Sequence, residues 1–378
     1  MFKSKKRNFL VSAVLSLSLI LAACGGDDDG TTDDGNGDVN GDTTGEDTTE
    51  TDEGADEAKS PEYHWDFVTE EYQGQVQYEY AAEFARRMAE KSDGRVDITV
   101  YEFGGLGDEV DQVEQLQLGF TEFGIVSPGF TGTMVEEAQL FALHFLFPDD
   151  VALTQEILDS SEALNVHLRE KYEEHNMTPL AYFTEGPMQW TSNGLPLTTP
   201  DDFDGFKMRI QQSPLISQSY EVYGADPTPM SWGELYTSLD QGVVDGQENP
   251  IFFIEDAGFH EVQDYMTISN HNNYVAMTVV NTDFYNGLPE DIQGMIDETV
   301  AELRDWVFDL QDQMNSDLLT AMEESEEHPT EIYNLTEDER QAFRDLAMPV
   351  RDFFRENYGD DAGRILDLLE EEIEAARN

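Results

Sequence analysis

Val76, Tyr80, Phe84 and Met88 recur every four residues, which lays one apolar face along a helix and predicts that the triplet Ser92, Asp93 and Gly94 ends it. The next run, "RVDITVY", alternates apolar and polar with period two and predicts a strand. A second helix through Val110, Val113 and Leu116 should stop at Gly119, and "TEFGIVSPGF" predicts a buried strand ended by Pro128 and Gly129. A helix over 151–174 and a strand over 178–183 repeat the order. After Tyr285 the pattern becomes helical: "PEDIQGMIDETVAELRDWVFDLQDQMNSDLL" is one long amphipathic run, followed by helices at Glu337–Asn357 and 361–376. Strands separated by helices predict an α/β fold with largely parallel sheets. No internal repeat interrupts the pattern.

The N-terminal end follows different rules. Lys3, Lys5, Lys6 and Arg7 precede an apolar run over 9–21 and the tetrapeptide "LAAC", the order of a secretory signal. The run is short for a membrane span, which needs about 20 apolar residues. "LAAC" resembles a bacterial lipoprotein lipobox, which implies cleavage before Cys24 and a lipid on its sulfur. Cys24 is the single cysteine, so no disulfide can form within the chain. Residues 25–60 are mostly Asp, Glu, Gly and Thr, too polar to offset their own conformational entropy, and predict an extended tether. The aspartates lack the fixed spacing of a calcium loop.

Charge narrows the set of partners. The formal net charge is -61, and removing the four basic signal residues leaves 16 Lys and Arg against 81 Asp and Glu, or -65. Nucleic acid and anionic lipid are poor partners for such a surface. Acids spread through every segment, with Lys scarce, suit a protein working in high external salt, where screening shortens their repulsion. No metalloprotease, phosphate-loop, serine-hydrolase or dinucleotide motif is present, and the seven histidines are scattered. We therefore expect no catalytic residue, cofactor or metal. "GGLGDE" before the second helix could hold an anion at a helix N-terminus, although a plain turn explains it as well.

Two stretches carry candidate chemistry. "SWGE" at 231–234 fits a capping box and sets Trp232 at the first helical position; "DGQENP" then brings Asn249 in front of Pro250, which suits a helix start. "FKMRI" puts Arg209 inside an apolar alternation, where a guanidinium lacks a cheap partner unless an anion meets it. Core packing for Trp232 and a capping role for Asn249 remain open at this level.

Together "DDFDGFKMRI", "YGADPTPMSWGELYTSLDQGVVDGQENP", "HEVQDYMTISNH" and "FYNGLPEDIQGMI" resemble the substrate-binding proteins of TRAP transporters, from about Tyr63 onward. The resemblance implies a two-lobed periplasmic-binding-protein-like α/β fold with long C-terminal helices. Residues 61–186 and 275–314 would form one lobe, 187–274 and 315–378 the other. It further implies a monomeric extracytoplasmic receptor, held at the membrane by its lipid, that closes over a small carboxylate-bearing solute and passes it to sodium-coupled membrane permease subunits. Arg209 would hold the carboxylate in a bidentate pair, assisted by Asn249. Met188 stands where many members carry a second arginine.

"EEYQG", "SPGFTG", "SWGELY" and "ENPIFFIEDAG" are similar to the ectoine-binding branch in particular. That resemblance implies a cage of Phe130, Trp232, Phe253 and Tyr274 around a cyclic zwitterion, with Glu71 opposite its cationic ring. Phe253 replaces a tryptophan and Tyr274 a phenylalanine of that branch, and the added hydroxyl would suit a hydroxylated ligand. The expected function is a TRAP receptor for ectoine or hydroxyectoine; the alternatives are a receptor for a simple organic acid such as a C4-dicarboxylate, or an extracellular enzyme on the same scaffold.

Overall fold

A computed structural model describes residues 60–325 and 330–377. The signal, Cys24 and the acidic segment to residue 59 lie outside the described residues. The strands in chain order are β1 (Tyr63–Thr69), β2 (Val96–Tyr101), β3 (Phe123–Val126), β4 (Met177–Pro187), β5 (Gln189–Ser192), β6 (Lys207–Ile210), β7 (Asp226–Pro229), β8 (Gly246–Asn249), β9 (Tyr265–Ile268), β10 (Asn273–Asn281) and β11 (Glu331–Asn334). They form two sheets, ordered β2-β1-β3-β10-β4 and β11-β9-β5-β8-β6-β7.

The α/β class follows from the hydrophobic pattern, but the sheets are more mixed than it predicts. β1 runs parallel to β2 and β3, while β10 is antiparallel to β3 and β4. In the second sheet β6 is parallel to β7 and β8, and β5 is antiparallel to β8 and β9. β4 leads into β5 across Met188 alone, and β9 into β10 across residues 269–272, so two chain segments pass between the sheets in opposite directions; they lie antiparallel as β4 and β10 in the first sheet and as β5 and β9 in the second.

Local signals account for most helix limits. The first helix, Val76–Lys91, buries Val76, Tyr80, Phe84 and Met88 and ends through Asp93 and Gly94, both left-handed at φ 51° and 75°. The second, Glu109–Leu118, starts at an Asp108 capping box and stops at Gly119 with φ 72°. The helix expected over 151–174 is interrupted: Val151–Ser160 ends at Ser161, whose extended backbone separates it from a wider turn at Ala163–Leu168. Ser161 donates its hydroxyl to Glu372, a tertiary contact invisible to periodicity.

The long amphipathic run is a single helix, Glu290–Glu324, which continues past residue 314 without a break. Its buried stripe, Ile292, Ile296, Val300, Leu303 and Val307, packs with Trp65, Phe67 and Phe84 of the first sheet's core. Lower on the same helix Asn315 donates to the Glu185 carbonyl of β4 at 2.9 Å and accepts from the Phe252 amide at 3.2 Å. Arg340, on the helix Glu337–Asn357, binds Asp149 through both terminal nitrogens and donates to the carbonyls of Ser269 and Asn270. It thus pins the short passage between β9 and β10. No helix among the described residues is long and apolar enough to cross a membrane.

Candidate solute-binding site

Ligand sites in α/β sheets form at the carboxyl ends of the strands, where side chains leave the sheet and loops can converge. Here Glu70 follows β1, Phe130 lies in the short helix after β3, and Arg209 and Gln211 occupy the end of β6. Trp232 follows β7, Asn249 closes β8, and Phe253 sits in the next helical turn. Together with Glu109 and with Tyr274 at the start of antiparallel β10, these residues line one small cavity. A neighbouring cavity shares Gln211 and Tyr274 with it and includes Met188.

Arg209 is 2% exposed. Its Nε and Nη2 donate to the Met230 carbonyl at 3.2 and 2.9 Å, and among the described residues no carboxylate lies within 4.0 Å of it. Burial holds its pKa below the usual arginine range, with Glu109 among the nearby acids opposing that shift. A buried guanidinium oriented by a carbonyl but lacking an acid partner is prepared for an anionic guest. Asn249 is buried beside it and donates its amide to Gln247, which in turn donates to Thr191 Oγ1 at 3.1 Å.

The aromatic side chains form a continuous wall. Trp232 and Phe253 have ring centroids 5.0 Å apart, and Phe253 and Tyr274 5.6 Å apart, both pairs tilted. Phe252 stacks behind Phe253 at 4.3 Å, fixing its ring from the core side. Trp232 is half-buried and also meets Phe259 at 5.2 Å, so packing and lining are shared by one side chain. The Tyr274 hydroxyl donates to Glu70 Oε2 at 3.3 Å and accepts from Gln211 Nε2 at 3.4 Å.

Of the seven binding residues expected from the sequence, the structure brings Phe130, Arg209, Trp232, Asn249, Phe253 and Tyr274 to one cavity. Glu71 does not line it. Its Oε2 accepts from the Gln77 amide at 2.7 Å, its Oε1 is buried without a hydrogen-bond partner, and it lies against Glu185. Glu70 faces the cavity instead. Both residues follow the end of β1, and the contacts made there separate them: Glu71 meets the Gln77 amide and Glu185, while Glu70 meets the Ser127 amide and the Tyr274 hydroxyl.

Burial raises all three neighbouring carboxyls. Glu70 is pushed up to about 8, with Glu109 and Glu185 adding to the effect and the Ser127 amide, 3.0 Å from Oε1, opposing it. Glu185 rises to about 7 by burial, and Glu71 goes well above its ordinary value through burial and then the Glu185 charge. A cation brought against Glu70 would favour its ionised form.

Glu109 and Gln211 were also absent from the expected set. The capping box expected at Ser231 and Glu234 does not form: the Ser231 hydroxyl and the Trp232 amide both donate to Glu109, each at 2.8 Å. Glu109 itself opens the helix after "GGLGDE", so that loop carries a protein acid at its helix start and reads as a turn. Neither contact has a signal in local sequence, since 122 residues separate Glu109 from Ser231.

A second buried cluster carries side chains of the kind that bind metals. His144, Glu248 and His271 are buried with ligand atoms within 4.8 Å of one another. Their atoms are already engaged: His271 Nε2 lies 2.7 Å from Glu248 Oε2, Tyr220 donates to that oxygen at 2.5 Å, and His144 Nδ1 lies 2.9 Å from the Tyr223 hydroxyl. Burial lowers the pKa of both imidazoles, His144 to about 3. A metal ion would have to replace these bonds, and the arrangement fits a closed polar network.

A buried guanidinium without an acid partner, an aromatic wall and a carboxyl on one small cavity define a solute-binding site. Residues 67–357 match the family described as bacterial extracellular solute-binding protein, family 7 (DctP). The chain is 35% identical over 315 residues to the ectoine-binding periplasmic protein TeaA of Halomonas elongata, covering 83% of this chain and 91% of that protein. It is 34% identical over 315 residues to the ectoine/5-hydroxyectoine-binding periplasmic protein UehA of Ruegeria pomeroyi, with the same coverage of 83% and 91%. A high-resolution structure of the periplasmic ectoine-binding protein from the Halomonas elongata TeaABC TRAP transporter superposes with a TM-score of 0.80 at 34% identity, covering 82% of this chain and 99% of that one. The chain belongs to the DctP family of TRAP-transporter solute-binding proteins: it is a receptor that works with membrane permease subunits, and not an enzyme.

Proposed function

We propose that this receptor binds ectoine or 5-hydroxyectoine. The observation that carries the reading is the arrangement around one cavity of Arg209, which has no acid partner, the Trp232, Phe253 and Tyr274 wall, and the Glu70 carboxyl. The solute carboxylate would meet Arg209 and Asn249, and its delocalised amidinium would lie on the aromatic faces, each such contact contributing about 0.5 to 2 kcal/mol. Glu70 would supply the opposing charge in place of Glu71. The Tyr274 hydroxyl is already held by Glu70 and Gln211, so its role in this reading is to orient the acid.

The lobes of this reading are residues 61–186 with 275–314, and 187–274 with 315–378, joined by the two short passages between the sheets and by the helix Glu290–Glu324, which runs unbroken across the boundary at 314, so closing would bend all three. Cleavage before Cys24, a lipid on its sulfur and the acidic tether would hold a monomeric receptor outside the cytoplasmic membrane in a high-salt medium. Titration calorimetry of the purified protein with ectoine, 5-hydroxyectoine, glutamate and succinate at high salt tests the solute. One-to-one binding of an ectoine supports the cage; binding of an acid alone discards the osmolyte and keeps the receptor.

A further inference from the structure

Ser231 and Trp232 both turn to one distant acid. The sequence offers a local capping box, in which the Ser231 hydroxyl would accept from the Glu234 amide; no such bond forms, and the hydroxyl donates to Glu109 Oε2 while the Trp232 amide donates to Oε1 of the same carboxylate. Glu109 is 1% exposed and belongs to the helix after β2, on the first sheet's side of the cavity; Ser231 and Trp232 begin the helix after β7, on the second sheet's side. The contact therefore spans the cavity mouth. It satisfies an otherwise uncapped helix start with a carboxylate, the favourable sign for that end. Beside it, a Cβ on Gly233 would come within 3.4 Å of the Phe103 ring, so the same two surfaces already touch.

We propose that Glu109 is the positioning residue of the cavity wall: it takes both donors from the other side of the cavity and locks Trp232 in place as a wall of the cage. This rests on the two-lobed, solute-closing reading above. A Glu109 side chain that reaches the Trp232 main chain controls where the indole stands, so its loss should hurt a solute held by that indole more than one held by Arg209 alone.

The test is stopped-flow binding with Glu109→Ala, Glu109→Gln, Ser231→Ala and the double variant that combines Glu109→Ala with Ser231→Ala, using ectoine and succinate as probes. Hydrogen bonds to a charged group are worth roughly 1.5–3 kcal/mol, so Glu109→Ala should raise the ectoine dissociation rate about tenfold to a hundredfold. Association should be little changed, succinate should suffer less, and Glu109→Gln should recover part of the loss. Ser231→Ala should have no added effect on dissociation once Glu109→Ala is present. An unchanged ectoine dissociation rate in Glu109→Ala, or fully additive losses in the double variant, overturns the proposal. If neither probe binds the wild type, the proposed function fails, and the latch is read from hydrogen exchange of the Trp232 amide in the ligand-free chain. Slower exchange in the wild type than in Glu109→Ala supports it, and equal exchange overturns it. Should Glu109→Ala not fold, Glu109→Gln and Ser231→Ala carry the same comparison.

Discussion

The Tyr274 hydroxyl donates to Glu70 Oε2, so one wall of the aromatic cage is hydrogen-bonded to the acid that faces the same cavity. The acid in turn receives the Ser127 amide on its other oxygen. With its pKa pushed up to about 8 by burial, Glu70 is mostly protonated at neutral pH in the empty site. A cationic solute lowers that pKa, so binding should release up to about one proton at pH 7, and affinity should rise with pH until about 8 and then level. Calorimetry in buffers of different ionisation enthalpy measures the release; Glu70→Gln should abolish it. Proton uptake on binding would contradict the assignment of Glu70.

The same buried acids set a stability profile. Glu70, Glu71 and Glu185 all have raised pKa values in the folded chain, so their contribution is complete below about 4.5; that of Glu185 and Glu70 is lost as the pH rises through about 7 to 8, and Glu71, held well above its ordinary value by burial and the Glu185 charge, acts in the same direction. Ligand-free Tm should be higher at pH 5 than at pH 8 by roughly 5 °C. Glu71→Gln, which leaves the cavity lining intact, should flatten the profile and raise Tm at pH 8. Parallel profiles for the variant and the wild type would mean that the pH dependence arises elsewhere.

Arg209→Lys should weaken solute binding by about 2 kcal/mol or more, since an ammonium cannot both keep the Met230 carbonyl and pair with a carboxylate through a planar fork. Calorimetry giving an unchanged Kd would remove Arg209 from the site.

Trp232→Ala should cost a cyclic zwitterion about 1 to 2 kcal/mol more than a small linear acid, because only the former uses the ring face. The check is the ratio of the two Kd values in variant and wild type. Equal losses would make the indole a packing element, held through Phe253 and Phe259.

Much of this protein is written in local pattern. The four-residue spacing from Val76 to Met88, the stop at Gly94, the long helical run from Pro289 to Leu319 and the placement of Arg209 in a buried strand follow from periodicity and steric rules acting over a few residues. The family-specific blocks around Arg209, Trp232 and Asn249 were equally legible, and six of the residues named from them share one cavity. The tertiary structure decided the rest. It put Glu70 and not Glu71 on the cavity, because past the end of β1 their directions are set by distant partners, Ser127 and Tyr274 for Glu70 and Glu185 for Glu71. It set β4 against β10 and β5 against β9 as antiparallel pairs, because the two segments that pass between the sheets run in opposite directions, a pairing of stretches far apart in the sequence. It gave Ser231 and Trp232 to Glu109 in place of a local cap, because a carboxylate brought by another part of the chain binds two donors at once, and no pattern within a few residues of sequence records where a distant side chain will arrive.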